Sequence, residues 1–278
     1  MSGQTLKQWT GDTLWRQGCV VGGDAAAALN LKNSIDEAAT LVVVIGHDCD
    51  LANENLDAEP NVEVIVGRVV PAANGNFLWG KAPRTLHLSM MRADVQVIAE
   101  LVSTSKYLVP KSDLAQYDPE VAFTLDEIGL AVLRGWLSAR YNRAAFPDTF
   151  VNRMKDTKLD VKLAKVVEPY GELISFVYFD LDGGQLIEHP ENNPYELSIV
   201  IVYPPGDDPE GTADAVDKVV VAIEKICEER LKDGTNIILK RCISVSEDDL
   251  PVSKARVLMH WRLEHMTLKA NGHPGPIQ

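Results

Sequence analysis

Four side chains that can titrate, bind a metal or attack a substrate stand together in the segment HDCD. His47, Asp48, Cys49 and Asp50 follow closely after the apolar run Leu41–Ile45. This run has the length and the β-branched composition of a buried strand. The sequence therefore predicts a strand that carries a cluster of reactive groups at its carboxyl end. We expect the four residues of this cluster to be catalytic.

The side chains of an extended strand alternate between two faces, which leaves more than one arrangement of this cluster open. If the strand continues through the cluster, His47 and Cys49 share one face, and Asp48 and Asp50 share the other. The preceding residues are apolar on both faces and do not indicate which pair points inward. A structural role is a further interpretation, because Asp and Asn are common where a strand enters a loop.

The face with His47 and Cys49 predicts either a zinc site or a thiol nucleophile. Imidazole nitrogen and thiolate sulfur are good zinc ligands, at about 2.0–2.1 Å and about 2.3 Å from the metal. A nucleophilic Cys49 would need a base that lowers its pKa, for which His47 and His260 are the candidates. The candidates for the missing zinc ligands are Cys19, Cys242, His87 and His260.

The face with Asp48 and Asp50 predicts a different chemistry. Two carboxylates at this spacing hold a Mg²⁺ ion, which in turn binds phosphate oxygens. Arg140 and Arg143 lie three residues apart on a predicted helix, where they would be neighbours able to bind a phosphate-containing ligand. Tyr141 adds an aromatic ring for base stacking. We expect these three residues to bind substrate, with helix stabilisation as the alternative role of the arginines.

The rest of the chain predicts an α+β fold with a small barrel-like unit first and an antiparallel sheet with one main helix last. Short strands divided by Gly, Pro and Asn predict a β-rich SH3-like barrel over residues 1–95. Residues 96–168 are predicted to be a helical segment. The order ββαββ predicts a second α+β unit over residues 169–268. Residues 269–278 are predicted to be a flexible tail.

Four helical segments are predicted from apolar spacing and from their ends. Thr124 and Glu127 have the spacing of a capping box at the start of the strongest one. A long amphipathic helix is predicted to open after Thr212 and to close at Gly234. The other two helical segments are Arg92–Val102 and Thr149–Val167.

Two stretches near the start resemble the SH3-like barrel of the growth-inhibiting endoribonuclease toxins of the MazF/PemK type. GDTLWRQG is similar to the opening Gly-Asp strand of that family, and TLVVVIGHDCDLAN is similar to its strand of the VVVIS kind. This chain has Gly46-His47 where the family has Ser or Thr, and it lacks the preceding Arg-Pro. The resemblance covers about the first 90 residues and implies the fold more than the activity.

Two further segments, HDCDLAN and RYNRAAFPD, resemble parts of uncharacterised bacterial proteins from mobile or defence loci. This resemblance implies a role in an antiviral defence or toxin–antitoxin-like system. It brings no mechanism with it, so the chemistry must be argued from the residues themselves.

Charge and composition limit the classes of partner. The formal net charge of −13 among 278 residues disfavours nonspecific binding to nucleic acid, which needs a positive surface. The charge is uneven: residues 134–165 carry +5, and residues 166–240 carry −11. The basic segment is either a solvated helix face or a phosphate-contacting surface. The acidic segment predicts a basic protein partner.

Composition also predicts where the chain acts. Its apolar runs are too short to span a bilayer, and its start lacks the apolar core of a signal peptide. We therefore expect a cytoplasmic protein without a membrane partner, in which the four cysteines are thiols or metal ligands.

Two functional hypotheses follow. The first is a hydrolase, directed at a phosphodiester or a nucleotide, centred on the HDCD segment and using zinc or magnesium. The second is a noncatalytic accessory or regulatory protein of a defence or toxin–antitoxin-like system. The acidic charge favours the second hypothesis, and the HDCD segment favours the first.

Overall fold

The α+β class is confirmed by the computed structural model, which describes residues 7–139, 141, 146–232, 235–255 and 258–261. The chain forms two compact units. The first unit contains the chain up to Ala73 together with Arg84–Leu137. The second contains Asn74–Pro83 together with the chain from Ser138 onward. Neither unit is therefore continuous in sequence.

The first unit is built around one curved antiparallel sheet. Its strands are β1 (Val20–Val21), β2 (Thr40–Val44), β3 (Asn61–Val70), β4 (Thr85–Arg92), β5 (Val95–Val102), β6 (Lys106–Pro110) and β7 (Phe123–Thr124). Its helices are α1 (Gly23–Ala28), α2 (Asp48–Ala52), α3 (Lys111–Leu114) and α4 (Glu127–Ala139). The described strands lie in the order β1-β2-β3-β5-β4-β7, with β6 also paired to β3, and form a nearly closed barrel-like sheet.

The strand β2 is buried on both faces, which explains its uninterrupted apolar sequence. Leu41, Val43 and Ile45 pack into a core with β4, β5 and α4. Val42 and Val44 pack into a second core, which contains Trp9 and Trp15 among others. A strand between two cores needs apolar residues at every position, so its sequence carries no inside–outside signal.

The helix predicted over Arg92–Val102 is wrong, because this segment contains strand β5. It pairs with β4 along its whole length and with the end of β3. Ala99 and Leu101 are fully buried in the core shared with α4. The apolar residues therefore follow the two-residue period of a strand, and sheet pairing overrides the local helical preference.

The strongest predicted helix is confirmed as α4, although its cap differs from the prediction. Leu133 and Trp136 are buried in the core of the first unit, as the helical spacing indicated. The side chain of Asp126 accepts a 2.7 Å hydrogen bond from the amide of Gly129. Thr124 belongs instead to β7, so the predicted capping box with Glu127 is wrong.

The second unit has the predicted element order ββαββ, preceded by two helices. Its helices are α5 (Asp148–Asp156), α6 (Leu159–Val167), α7 (Pro209–Arg230) and α8 (Val252–Ala255). Its strands are β8 (Phe176–Leu181), β9 (Tyr195–Tyr203), β10 (Ile237–Ser246) and β11 (Met259–His260). The described strands lie in the order β10-β9-β8-β11, and the sheet is mixed because β10 runs parallel to β9 after the α7 crossover.

Two predicted helices have different bounds in the second unit. The stretch Thr149–Val167 is interrupted at Lys158, whose φ of 55° lies in the left-handed region and ends α5 before α6 begins. The long helix α7 begins at Pro209, where Asp208 accepts a hydrogen bond from the amide of Gly211. Proline is favourable at the first position of a helix because a backbone N–H at that position would have no partner within the helix.

The predicted helical segment 96–168 does not form a separate unit. Its strands and α4 pack in the first unit, whereas α5 and α6 pack on the sheet of the second. The predicted tail 269–278 lies outside the described residues. Within the described part of the chain, no helix has both the length and the apolar character needed to span a bilayer.

The segment Asn74–Pro83 leaves the sequence of the first unit and packs within the second. Lys81 is buried, and its ammonium donates hydrogen bonds to the carbonyl oxygens of Gly171 at 2.8 Å and Ile174 at 2.6 Å. The indole of Trp79 donates to the carbonyl of Glu172. This ten-residue segment is therefore an integral part of the second unit.

Candidate functional site

The HDCD segment begins a helix and does not continue the strand. Ladder pairing of β2 ends at Val44, because the amides of Ile45 and Gly46 both donate to the carbonyl of Glu63 and the chain then turns away. His47 has the extended backbone of an N-cap, and its Nδ1 accepts a 3.2 Å hydrogen bond from the amide of Cys49. The strand-based pairing of His with Cys and of Asp with Asp is therefore wrong.

Asp48 connects three separate segments of the first unit. Its Oδ1 accepts a 2.8 Å hydrogen bond from the amide of Gln17, and its Oδ2 lies 3.8 Å from Nη2 of Arg134 on α4. Arg134 also donates through Nε to Oε1 of Gln17, and Nε2 of Gln17 donates to the carbonyl of Ile45. Because the ion pair is about half exposed, the hydrogen bonds stabilise this junction more than the charge does.

The carboxyl-terminal half of α2 is held by hydrogen bonds from two buried side chains. Nζ of Lys111 donates to the carbonyls of Asp50 and Asn53 at 2.6 and 2.9 Å, and the indole of Trp9 donates to the carbonyl of Leu51 at 2.8 Å. Burial lowers the pKa of Lys111, while Glu59 and Asp50 act in the opposite direction. Both ends of this short helix are therefore tied by hydrogen bonds to other segments of the first unit.

The predicted metal ligands do not form a ligand group. Burial raises the pKa of the Cys19 thiol, and the charge of Asp48 adds to this effect, although Arg16 opposes it. Zinc binding and nucleophilic attack both require a thiolate, which this environment disfavours. Cys49 is exposed. Within the residues that the structure describes, no three His, Cys, Asp or Glu side chains are placed to hold a metal ion.

The other candidate ligands are occupied elsewhere. Cys242 is buried in the core of the second unit together with Cys227, and burial raises the pKa of each thiol to about 12. The imidazole of His260 stacks against the ring of Phe176. His87 is paired with a carboxylate in the first unit.

The predicted substrate-binding residues are only partly described. Arg140 and Arg143 lie outside the described residues. Tyr141 is 81% exposed. Besides the ammonium of Lys111, the structure places the guanidinium of Arg134 beside the HDCD segment. The sequence indicated Arg134 only as part of the basic stretch 134–165.

A buried row of charges was missed by the sequence interpretation. Arg68, Glu100 and His87 are direct neighbours across β3, β5 and β4. Nε of Arg68 lies 2.8 Å from Oε1 of Glu100, and Nε2 of His87 lies 3.2 Å from Oε2. The hydrogen bond from His87 and the charge of Arg68 lower the pKa of Glu100 despite its burial. Only the register between strands distant in sequence reveals this row.

We predict that Glu100→Gln destabilises the protein by about 2 kcal/mol at neutral pH, because it removes the carboxylate that neutralises the partly buried guanidinium of Arg68. The folded pKa of Glu100 lies below its ordinary value of 4.5, so its stabilisation is complete above that pH and is lost as the pH falls through the folded pKa. Urea unfolding at pH 7 and at acid pH measures the difference.

The matched control is Glu196→Gln, which removes an ion pair with Lys240 that is about half exposed on both sides. Exposed pairs contribute little, so this variant should unfold within about 0.5 kcal/mol of the parent. Equal effects of the two substitutions would contradict the predicted role of the buried row.

A cleft of about 360 Å³ lies in the first unit. Its floor is formed by strands at the two ends of the sheet order, β1 and β7, together with β2 and β3. The turn Gly22-Gly23 and helix α1 form one wall. The cleft therefore lies at the seam where the barrel-like sheet does not close completely. The charged residues around it are Lys32, Glu37, Arg92 and Glu120.

Comparison of the chain with protein-family models, with curated proteins and with solved structures finds no match. The resemblance to toxins of the MazF/PemK type thus stays a prediction for the first 90 residues, beside a barrel-like sheet that agrees with it only in general shape. The function must be argued from the geometry described above.

Proposed function

We propose that this chain is a noncatalytic binding protein, an accessory or regulatory component that acts through contacts with a partner. The proposal rests on one observation: the side chains of the HDCD segment form hydrogen bonds that hold the backbone of the first unit together. The imidazole of His47 caps α2, and the carboxylate of Asp48 binds the amide of Gln17. These two side chains therefore hold backbone segments of the first unit together, which accounts for their presence without a catalytic role.

The surface of α7 supports a basic partner. The helix buries Val216, Val219, Ile223 and Cys227 and directs its other faces to solvent. Its exposed charged side chains are Glu210, Asp214, Asp217, Lys218, Lys225, Glu228 and Glu229. Five of these seven are acidic, which gives a surface suited to a partner with clustered Lys or Arg.

Asp48→Ala tests the structural role of the segment. We expect a loss of about 1–2 kcal/mol in the free energy of unfolding, because the amide of Gln17 loses its acceptor and the guanidinium of Arg134 loses its ion-pair partner. Cys49→Ala and Asp50→Ala are the controls, since both side chains are exposed and should change stability by less than about 0.5 kcal/mol. Thermal and urea unfolding measure all three.

The hydrolase hypothesis makes a different prediction for the same variants. Replacement of a catalytic Asp48 or Cys49 would abolish turnover of a phosphodiester or nucleotide substrate, an activity that the proposed function does not include. Unchanged unfolding of Asp48→Ala combined with lost hydrolysis would therefore overturn the proposed function.

The binding role itself is tested by affinity capture with Glu228→Lys/Glu229→Lys as the variant. A specific partner should bind the parent chain, dissociate at high salt and bind the variant at least ~10-fold more weakly. Lys218→Gln/Lys225→Gln is the matched control and should not weaken binding. Binding that is insensitive to both salt and charge reversal would contradict an acidic docking surface on α7.

A further inference from the structure

The cleft at the seam of the first unit has the composition of a small-molecule site. Its volume of about 360 Å³ falls in the range typical of ligand pockets, roughly 300–1,000 Å³. The apolar lining that solvent reaches is formed by Val69, Phe123, Ala27 and Ala39, whereas the strand residues Val20, Val21, Leu41 and Val42 are already buried. A ligand that fills this cleft therefore needs an apolar body.

The charges around the cleft are not equally available to a ligand. Lys32 and Glu37 pair with each other at 2.5 Å, and Oε1 of Glu120 accepts a hydrogen bond from the amide of Ala122. The guanidinium of Arg92 lies 5.4 Å from the ring centroid of Phe123, which supports it from one side. Within the described part of the chain, no carboxylate forms an ion pair with Arg92.

Arg92 thus offers an uncompensated planar cation at the edge of an apolar cleft. A guanidinium binds a carboxylate through two parallel hydrogen bonds, and the ring of Phe123 limits its freedom before binding. The ring lines the same cleft and extends the apolar lining toward this cation. A ligand that binds both this cation and the apolar lining must therefore carry an anionic group and an apolar tail in one molecule.

We propose that this cleft binds a small carboxylic acid with an apolar body, the carboxylate on Arg92 and the tail on the partly exposed side chains of Val69 and Phe123. The site is independent of the acidic surface on α7, so it adds a ligand to the proposed partner-binding function.

Isothermal titration calorimetry of the full chain with octanoate tests this proposal. Arg92→Gln should weaken octanoate binding at least ~10-fold, or about 1.4 kcal/mol, and Arg92→Lys should weaken it less. Ala27→Leu should abolish binding, because Ala27 lines the cleft, is exposed on α1 and tolerates a helix-forming residue. Lys162→Gln, which changes an exposed cation of the second unit, should have no effect.

Two further probes separate the carboxylate from other chemistry. Octylamine has a similar tail and the opposite charge at neutral pH, and inorganic phosphate has the charge without the tail. Both should bind at least ~10-fold more weakly than octanoate. The proposal is overturned if octanoate does not bind at millimolar concentration, if Arg92→Gln binds it unchanged, or if either probe binds equally well.

Discussion

Gly75→Ala should destabilise the protein by about 3 kcal/mol, which corresponds to a fall in melting temperature on the order of 10 °C. A Cβ atom at this position would lie 2.0 Å from the carbonyl oxygen of Glu168 and 2.9 Å from Cα of Gly171. Both neighbours are backbone atoms, so rotation of a side chain cannot relieve the overlap. Gly171→Ala meets Gly75 from the other side and should have a similar cost.

Gly135→Ala is the matched control for these glycine substitutions. An added Cβ at Gly135 in α4 would meet no heavy atom of the described residues within 4 Å beyond its own helix. Alanine is preferred to glycine in a helix interior, so stability should rise by up to ~1 kcal/mol. Thermal unfolding of the three variants decides the matter, and a Gly75→Ala protein as stable as its parent would contradict the close packing of Asn74–Pro83.

Lys81→Met should destabilise the protein, and this effect should grow with pH. The substitution leaves the carbonyls of Gly171 and Ile174 without their donor, at a cost of about 1–3 kcal/mol for each buried acceptor that stays unpaired. Burial lowers the pKa of Lys81 to about 7 from its ordinary value of 10.5. The folded protein therefore releases this proton more readily than the unfolded chain does.

The direction of the pH dependence follows from this difference. Between about pH 7 and 10.5 the unfolded chain holds more protons at Lys81 than the folded chain does, so the free energy of unfolding rises with pH. From pH 7 to pH 9 the difference in free energy of unfolding between the parent and Lys81→Met should increase by about 2 kcal/mol. Below pH 7 the contribution of this group should be constant.

Urea unfolding of the parent and Lys81→Met across this pH range measures the gap directly. Lys162→Met, at an exposed position on α6, is the control and should show a pH-independent difference. A gap that stays constant between pH 7 and pH 9 would show that the lysine in Asn74–Pro83 is not buried as described.

These two predictions concern a segment whose place no local pattern indicated. An Asn-Gly pair such as Asn74-Gly75 is typical of a two-residue turn in a hairpin of neighbouring strands. In the sheet β3 and β4 are not neighbours, because β5 lies between them. The glycine is needed for close packing against Gly171, which is a contact across almost one hundred residues.

Much of the secondary structure could be predicted from the sequence, because periodicity reflects local burial. The strands β3 and β4, the helix α4 and the order ββαββ follow from alternation and helical spacing. Met259 and Trp261, two residues apart, are both buried, as the alternation of a strand requires. The segment Arg92–Val102 was predicted wrongly, since its few apolar residues suited either period and only pairing on both edges made it a strand.

The candidate site divides in the same way. The sequence alone determined the residue types of the HDCD segment and its position after a buried strand. It also determined the excess of acidic residues in the second half of the chain. Only the tertiary structure decided which groups come into contact. The carbonyl of Glu63 binds the amides at the point where the chain turns into α2, and Gln17 and Arg134 bind Asp48. The cleft forms at the seam between β1 and β7. Such contacts join segments far apart in the chain, and local spacing carries no information about them because their geometry depends on how the whole sheet closes.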